Sequence, residues 1–142
     1  MQLLLIRHAL PLRSEYGQGS DPELSETGIA QAQRLPDALA RFPITRLVSS
    51  PQRRAIQTAE PLAEQLGLGI DIYERFAEYD RELAGYLPIE QLRTERPQHW
   101  ARMAQGHLPA GVDEAAFCAR VAAALADVAA GSAPDDTIAV FS

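Results

Sequence analysis

The sequence contains no lysine and a single cysteine, and each shortage limits what the protein can be. All 13 basic residues are arginines, against 19 acidic residues, so the formal net charge is −6. This charge argues against nucleic acid or an anionic membrane as a partner. An anionic ligand would need a local cluster of arginines, whose guanidinium groups donate paired hydrogen bonds to phosphate or carboxylate. A GC-rich genome, which favours arginine codons, is the simpler explanation of the bias itself.

The lone cysteine, Cys118, excludes an internal disulfide and a metal site built from several cysteines. It lies in an alanine-rich helical pattern, where we expect a small buried or half-buried side chain. Long apolar runs are also missing, since none reaches the roughly 18 residues of a membrane-spanning helix. The amino-terminal segment lacks the basic start and long apolar run of a secretory signal. We therefore expect a cytoplasmic protein with no membrane partner.

The chain alternates predicted strands with predicted helices. Its 142 residues, 46% of them apolar, suffice for one domain with a proper core. Strands are predicted at 2–6, 44–48, 69–72 and 137–141. The first of these, QLLLI, is a continuous apolar run, which is typical of a strand buried on both faces. This alternation predicts a single α/β domain over residues 1–142, a three-layer sandwich with helices on both faces of a mainly parallel sheet.

Capping residues and apolar spacing predict the helices between these strands. Ser25 is a suitable N-cap for a helix that runs to about residue 41 and that Pro36 should kink. Ser50 could cap the next helix, with Pro51 at its first position, where a missing N–H costs nothing. Three more helices are predicted near 89–95, near 98–105, and from the cap Asp113 to the stop Gly131.

Polar residues follow two of the predicted strands. Arg7 and His8 come after the first strand, and the segment from Ser50 to Arg54 comes after the second. Since ligands of open parallel sheets bind beyond the carboxyl ends of the strands, these side chains should meet at one rim. A neutral imidazole nitrogen can take up a phosphoryl group. Guanidinium groups and the N–H groups of a helix N-terminus can bind the phosphoryl oxygens.

Phosphoryl transfer also needs an acid that protonates the leaving oxygen. In the segment RFAEYDRELAGYLP, three acidic residues are candidates in a region that otherwise has the pattern of a loop: Glu78, Asp80 and Glu82. Taken singly, each of these polar groups is explained more simply as a solvated surface residue. We expect His99 and His107 to be surface residues of that kind.

The segments LLLIRHA, ELSETGIAQAQRL, LVSSPQRRAIQTAEPLA and RFAEYDRE together resemble the histidine phosphatase superfamily, the phosphoglycerate mutase-like phosphatases and mutases. They occur in the family's order and at roughly its spacing, over almost the whole chain. The resemblance implies a phosphoglycerate mutase-like fold in which His8 becomes transiently phosphorylated. It also implies that Arg7 and Arg54 bind phosphate, and that Glu78 donates the proton. Asp80 remains a fallback acid, as does Glu82. No metal or organic cofactor is implied.

The sequence departs from the family pattern in three places. Ala9 follows the histidine where the family most often has glycine, and RELAGYLP replaces the customary Trp-Glu-Gly after the acid. Because these two changes surround the substrate rather than the transferred phosphoryl group, the resemblance does not identify the substrate. The largest departure follows the last strand, where the family has its second active-site histidine in a Ser-His-Gly sequence, whereas TIAVFS ends at Ser142. We expect a truncated version of a longer chain, without this histidine and the carboxyl-terminal part of the domain.

Three functional hypotheses follow from these patterns. The leading one is a phosphomonoester hydrolase that acts on a small phosphorylated metabolite through a phosphohistidine on His8. The second is a non-catalytic member of the family that binds phosphate or a partner. The third is a phosphoglycerate-type mutase or a phosphatase for phosphohistidine on proteins. A cofactor-dependent glycolytic mutase is disfavoured, because its longer specificity segments have no room here.

Overall fold

The sheet at the centre of the molecule is parallel throughout. The computed structural model describes residues 1–14, 20–81, 83 and 85–142. In this part of the chain, four strands pair in the order β1-β4-β2-β3. Their bounds are Gln2–Ile6 for β1, Arg46–Ser49 for β2, Ile70–Ile72 for β3 and Thr137–Phe141 for β4. The strand that comes last in sequence therefore lies between the first and the second.

Helices cover both faces of this sheet, as the alternating pattern predicts. Their bounds are Glu26–Ala32 for α1, Leu35–Leu39 for α2, Arg53–Leu66 for α3, Ile89–Glu95 for α4, Pro97–Ala104 for α5 and Glu114–Ala130 for α6. A 3-10 turn over Glu74–Phe76 follows β3. The helices α2 and α3 pack on one face, and α6 packs on the other. The predicted three-layer α/β fold is confirmed.

Alternation along the two central strands divides the core into two layers. Leu47 and Phe141 point towards α3, whereas Val48 and Val140 point towards α6. This follows from strand geometry, because successive side chains point to opposite faces. All five residues of β4 are buried, so the central strand is covered by protein on both sides.

The expectation that the first strand is buried on both faces is wrong. Leu5 is 68% exposed, and the other apolar residues of β1 are only partly buried. The reason is its position, since β1 pairs with β4 alone and forms an edge of the sheet. A continuous apolar run predicts burial but does not distinguish a central strand from an edge strand.

The helix predicted from Ser25 to about residue 41 is broken in two. Ser25 is the N-cap of α1, and its hydroxyl accepts a hydrogen bond from the Gly28 N–H, as predicted. Pro36 then lies in the first turn of α2, where its missing N–H removes no helical hydrogen bond. The proline therefore starts a second helix instead of kinking the first.

The predicted cap of the next helix is also wrong. The helix α3 begins at Arg53, with Gln52 at the N-cap position. Ser50 is still part of the sheet region, because its N–H donates to the Phe141 carbonyl at 2.9 Å. A tertiary hydrogen bond thus delays the helix by two residues relative to the local capping signal.

The predictions for the carboxyl-terminal half are confirmed with one exception. The helices α4, α5 and α6 lie where the sequence places them, and Asp113 accepts the Ala116 N–H at the start of α6. Cys118 is exposed on α6, contrary to the expectation of burial. None of the helices in the described ranges is long and apolar enough to cross a membrane.

Candidate active site

The end of β1 is held against the end of the central strand. The His8 N–H donates to the Ser142 carbonyl at 2.8 Å, and the Ser142 N–H donates to the Ile6 carbonyl at 3.0 Å. The segment between β2 and α3 is held to the same central strand, because the Ser50 N–H donates to the Phe141 carbonyl. His8 therefore leaves the sheet at its carboxyl rim with its backbone position set by β4.

The imidazole of His8 is buried and has a defined orientation. Only 7% of the residue is exposed, and Nδ1 lies 2.8 Å from the Ala9 carbonyl oxygen. Since a carbonyl only accepts, Nδ1 carries the proton of the neutral ring and Nε2 carries the lone pair. Nε2 faces the Glu78 carboxylate, with 3.4 Å to Oε1.

The pKa of His8 lies below its usual value. Burial is the largest cause, and it outweighs the nearby negative charge of Glu78 and the hydrogen bond to Ala9, which both favour the protonated ring. The positive charges of Arg54 and Arg7 lower the pKa further. The neutral, nucleophilic imidazole is therefore present over a wider pH range than for a free histidine.

Two helices hold the loop that follows His8. The Ala9 N–H donates to the Thr58 hydroxyl at 2.9 Å, and this hydroxyl donates to the Arg54 carbonyl at 2.6 Å within α3. The Leu10 carbonyl accepts hydrogen bonds from both the N–H and the hydroxyl of Ser25, at the start of α1. The backbone that follows His8 is thus tied to α1 and α3 within two residues.

Arg54 is fully buried, with 0% of the residue exposed. Its Nη1 donates to the Ser20 carbonyl at 2.9 Å. Its Nη2 lies 3.0 Å from Glu78 Oε2, and 2.9 Å and 3.0 Å from the two oxygens of Asp80. The ring of Tyr86 lies 4.5 Å from the guanidinium carbon, in cation–π geometry. One guanidinium therefore pairs with two carboxylates at the rim.

The two carboxylates differ in environment. The Glu78 side chain is 20% exposed and contacts both His8 and Arg54. The Asp80 side chain is 4% exposed and binds Arg54 with both oxygens. Burial raises the pKa of Asp80 to about 6, against the opposing effect of Arg54. Of these two acids, Glu78 is the one placed within reach of the His8 ring.

The structure brings His8, Glu78 and Arg54 into one connected cluster. Arg7 is exposed, and its positive charge lowers the pKa of the His8 ring. The fallback acid Asp80 lies on Arg54, and Glu82 lies outside the described residues.

Sequence reasoning missed three residues that complete this cluster. Thr58 lies one helical turn after Arg54, and that spacing was a usable signal. Ser20 and Tyr86 are on loops, where no periodic pattern marks a contact. The Tyr86 ring stands edge-on to His8 with 6.4 Å between ring centroids, and burial raises the pKa of its hydroxyl, which keeps it neutral.

The remaining histidines lie elsewhere on the surface. His99 and His107 are exposed, as expected, and His107 lies near Glu114. Within the described ranges, no three side chains of His, Cys, Asp or Glu are grouped so that they could hold a metal ion.

Comparison with known proteins identifies the family. Residues 3–142 match the histidine phosphatase superfamily (branch 1), so the chain belongs to this superfamily. It is 32% identical over 105 residues to phosphoserine phosphatase 1 of Hydrogenobacter thermophilus, covering 72% of this chain and 50% of that protein. It is also 32% identical over 145 residues to the probable phosphoglycerate mutase GpmB of Yersinia pestis, covering 94% of this chain and 67% of that protein.

Solved structures of similar shape support the same assignment. A mycobacterial glucosyl-3-phosphoglycerate phosphatase in complex with VO3 matches with a TM-score of 0.73 and 27% identity, over 97% of this chain and 73% of that chain. Bacillus stearothermophilus YhfR shares the fold, with a TM-score of 0.72 and 21% identity over 99% of this chain and 72% of that chain. The predicted family and its phosphoglycerate mutase-like fold are confirmed. The chain spans half the length of phosphoserine phosphatase 1, and a second active-site histidine after Ser142 stays a prediction.

Proposed function

We propose that the protein is a phosphatase that hydrolyses small phosphomonoesters through a phosphohistidine formed at Nε2 of His8. The observation that carries this proposal is the orientation of the buried imidazole. Nδ1 is held by the Ala9 carbonyl, and Nε2 points to the carboxylate of Glu78. Phosphatases among the family relatives support the reaction class. The proposed reaction requires no metal or organic cofactor, and the cytoplasm is the expected compartment.

In the first step, Nε2 attacks phosphorus in line while the bond from phosphorus to the ester oxygen breaks. Glu78 gives its proton to that leaving oxygen. Arg54 and Arg7 provide positive charge for the phosphoryl oxygens.

In the second step, water attacks the phosphohistidine and the N–P bond breaks. Glu78, now ionised, takes a proton from the water, inorganic phosphate leaves, and the neutral His8 is restored. Each turnover thus consumes one phosphomonoester and one water and returns both side chains to their starting protonation states.

Rapid mixing with an aryl phosphate, followed by an alkaline quench, tests the phosphohistidine. We expect acid-labile, base-stable phosphate on His8 in the wild-type protein. His8→Ala should lose both the trapped phosphate and at least about a thousandfold in kcat/KM, because the nucleophile is gone. His99→Ala, at an exposed histidine, is the matched control. Turnover of the His8→Ala variant at the wild-type rate would refute the phosphohistidine on His8. Absence of phosphoester turnover in the wild type, with identical binding by His8→Ala, would refute the enzymatic proposal and leave the non-catalytic binding function.

A mutase is the second candidate, because the chain is 32% identical to a probable phosphoglycerate mutase over 94% of its length. A mutase would pass the phosphoryl group from His8 to a second hydroxyl instead of to water. Product analysis with a phosphorylated hydroxy acid distinguishes the two: a hydrolase releases inorganic phosphate, whereas a mutase yields the positional isomer.

A further inference from the structure

The backbone that leads into Glu78 is held by a single side chain, Arg120 of α6. Its Nη1 donates to the Arg75 carbonyl at 2.6 Å, and its Nη2 donates to the Ala77 carbonyl at 2.7 Å. Because a guanidinium presents its donors in a fixed planar fork, it also sets the two carbonyls relative to each other. The second of these carbonyls belongs to the residue directly before Glu78, so its position sets where the Glu78 side chain begins.

The same helix also contacts the residue that follows Glu78. The ring of Phe117 stands edge-on to the ring of Tyr79, with 6.3 Å between the ring centroids. The guanidinium carbon of Arg120 lies 5.2 Å from the centre of the Phe117 ring, in cation–π geometry. Phe117 and Arg120 are three residues apart and therefore share one face of α6. This face holds the chain on both sides of Glu78.

The turn before Glu78 is anchored to α6 by packing as well. Phe76 is 3% exposed and belongs to the core cluster that contains Val48 of β2 and Val128 of α6. The side chain of Arg75 forms an ion pair with Asp127, which is also on α6. The helix is therefore a fixed support from which Arg120 reaches the backbone of this turn.

Ser142 joins this turn to the backbone of the nucleophile. Its hydroxyl donates to the Phe76 carbonyl at 3.3 Å, between the two carbonyls that Arg120 binds. The carbonyl of Ser142 accepts the His8 N–H at 2.8 Å. The backbones that carry the nucleophile and the acid are thus both held to the end of β4.

The proposed role of Glu78 depends on this placement. Its Oε1 lies 3.4 Å from Nε2 of His8, and its Oε2 lies 3.0 Å from Nη2 of Arg54. A proton donor must come within hydrogen-bond distance of the leaving oxygen, and a misplacement of ~1 Å can cost ~100-fold in rate. Arg54 holds the carboxylate itself, whereas Arg120 holds the backbone from which the side chain extends.

We propose that Arg120 is a positioning residue for Glu78: through the Arg75 and Ala77 carbonyls it sets the reach of the acid to the leaving oxygen and to His8. Arg120 itself contacts neither the nucleophile nor the phosphoryl group. This proposal rests on the proposed phosphatase function, because it assigns the residue that aligns the proton donor of that reaction.

The test compares two substrates in the variant Arg120→Met, which keeps an unbranched side chain and removes the guanidinium. Phenyl phosphate has a leaving oxygen that needs a proton, whereas the oxygen of para-nitrophenyl phosphate leaves readily as an anion. We expect the ratio of kcat/KM for phenyl phosphate over that for para-nitrophenyl phosphate to fall about tenfold, because the acid is displaced from the leaving oxygen. The loss is partial because Arg54 still binds Glu78. Arg93→Met, the same change at an exposed position of α4, should leave this ratio unchanged.

A second comparison shows whether the effect acts through the acid. Glu78→Gln removes the proton donor, so we expect the same ratio to fall about a hundredfold. Adding Arg120→Met to Glu78→Gln should lower the ratio no further, because the two changes affect one group. If Arg120→Met does not fold, Arg120→Lys is measured in the same way. The same fall is expected there, because one nitrogen replaces the two that hold separate carbonyls.

Three results would overturn the proposal. A lower melting temperature of Arg120→Met with an unchanged ratio would mean that the guanidinium only stabilises the fold. An equal loss of kcat/KM with both substrates would mean that it acts on the nucleophile or on phosphate binding. A further fall of the ratio in the double variant would mean that Arg120 acts independently of Glu78.

A measurement without turnover separates this proposal from the phosphatase function. The negative charge of Glu78 raises the pKa of His8, so displacement of Glu78 should lower that pKa, whereas loss of the Arg120 charge alone would raise it. NMR titration of the His8 ring protons in the wild type and in Arg120→Met measures the change. A lower pKa in the variant supports the positioning role even if no phosphoester is hydrolysed. Hydrolysis of phosphoesters with an unchanged or higher pKa in the variant would refute that role and leave the phosphatase function intact.

Discussion

A single buried guanidinium connects the residues on which the proposed chemistry depends. Arg54 contacts Glu78 and Asp80 with one amino group and the Ser20 carbonyl with the other. In this arrangement two carboxylates face the positive charge of Arg54. In the proposed reaction, the phosphoryl group competes with these carboxylates for the donors of Arg54.

At Asp80 this arrangement predicts a pH dependence of stability. Burial raises the pKa of Asp80 from 3.8 in the unfolded chain to about 6 in the folded protein. The folded state thus binds the proton more tightly, so the stabilising contribution is complete below about pH 3.8 and is lost as the pH rises through about 6. Over this window the difference corresponds to about 3 kcal/mol.

We therefore expect the wild type to lose stability relative to Asp80→Asn as the pH rises from 4 to 6.5. The uncharged asparagine cannot titrate, whereas the other titratable groups, including His8, are present in both proteins. Urea unfolding at several pH values measures the difference, with Asp37→Asn at an exposed position as the control. A difference that does not change with pH would show that burial of Asp80 does not govern its protonation.

The helix α1 packs directly against the loop that follows His8. A Cβ atom built on Gly28 would lie 2.1 Å from the Leu10 carbonyl oxygen and 3.0 Å from its carbon. The same carbonyl oxygen accepts hydrogen bonds from Ser25. Glycine at this position is therefore required for α1 to pack against the backbone two residues after His8.

Gly28→Ala should destabilise the protein by about 2 kcal/mol, because the new methyl group must push α1 away from Leu10. Gly69→Ala is the matched control, since a Cβ there meets no atom within 4 Å. Thermal unfolding of the two variants measures the effect. Equal melting temperatures for both would mean that α1 can shift without cost. A fall in kcat in Gly28→Ala would further show that the helix positions the His8 loop.

For the whole molecule, the topology predicts a gradient of stability across the sheet. The central strand β4 is fully buried and pairs with both β1 and β2, whereas β3 has three residues and pairs on one side. Backbone amides in β4 should exchange with solvent only through global unfolding, and those in β3 should exchange faster through local opening. Hydrogen exchange followed by NMR measures both in one sample. Protection in β3 equal to that in β4 would contradict the gradient.

Local sequence signals predicted most helices and strands. Tertiary contacts set the strand order and the start of α3, which the sequence did not predict. The helix caps Ser25 and Asp113 were predictable because a capping side chain acts within three residues. The exposed position of β1 was not predictable, because it depends on the order of the strands in the sheet. The predicted start of α3 was wrong because the Ser50 N–H is hydrogen-bonded to the carbonyl of Phe141, 91 residues away.

The candidate site was likewise predictable only where local sequence signals mark its residues. His8 and Arg54 could be placed at one rim because both follow strands of a parallel sheet. The choice of Glu78 came from the resemblance to the family. Tyr86 and Ser20 could not be found, since their positions result from packing between loops and α3.

The order of the strands also has a consequence for synthesis of the protein on the ribosome. The strand that separates β1 from β2 is the last of the four to be made. Until it emerges, the first strand has no partner and the His8 N–H has no Ser142 carbonyl to bind. A nascent chain that contains every residue of the cluster up to Tyr86 therefore still lacks the site. Translation must pass beyond β4 before the proposed site can form.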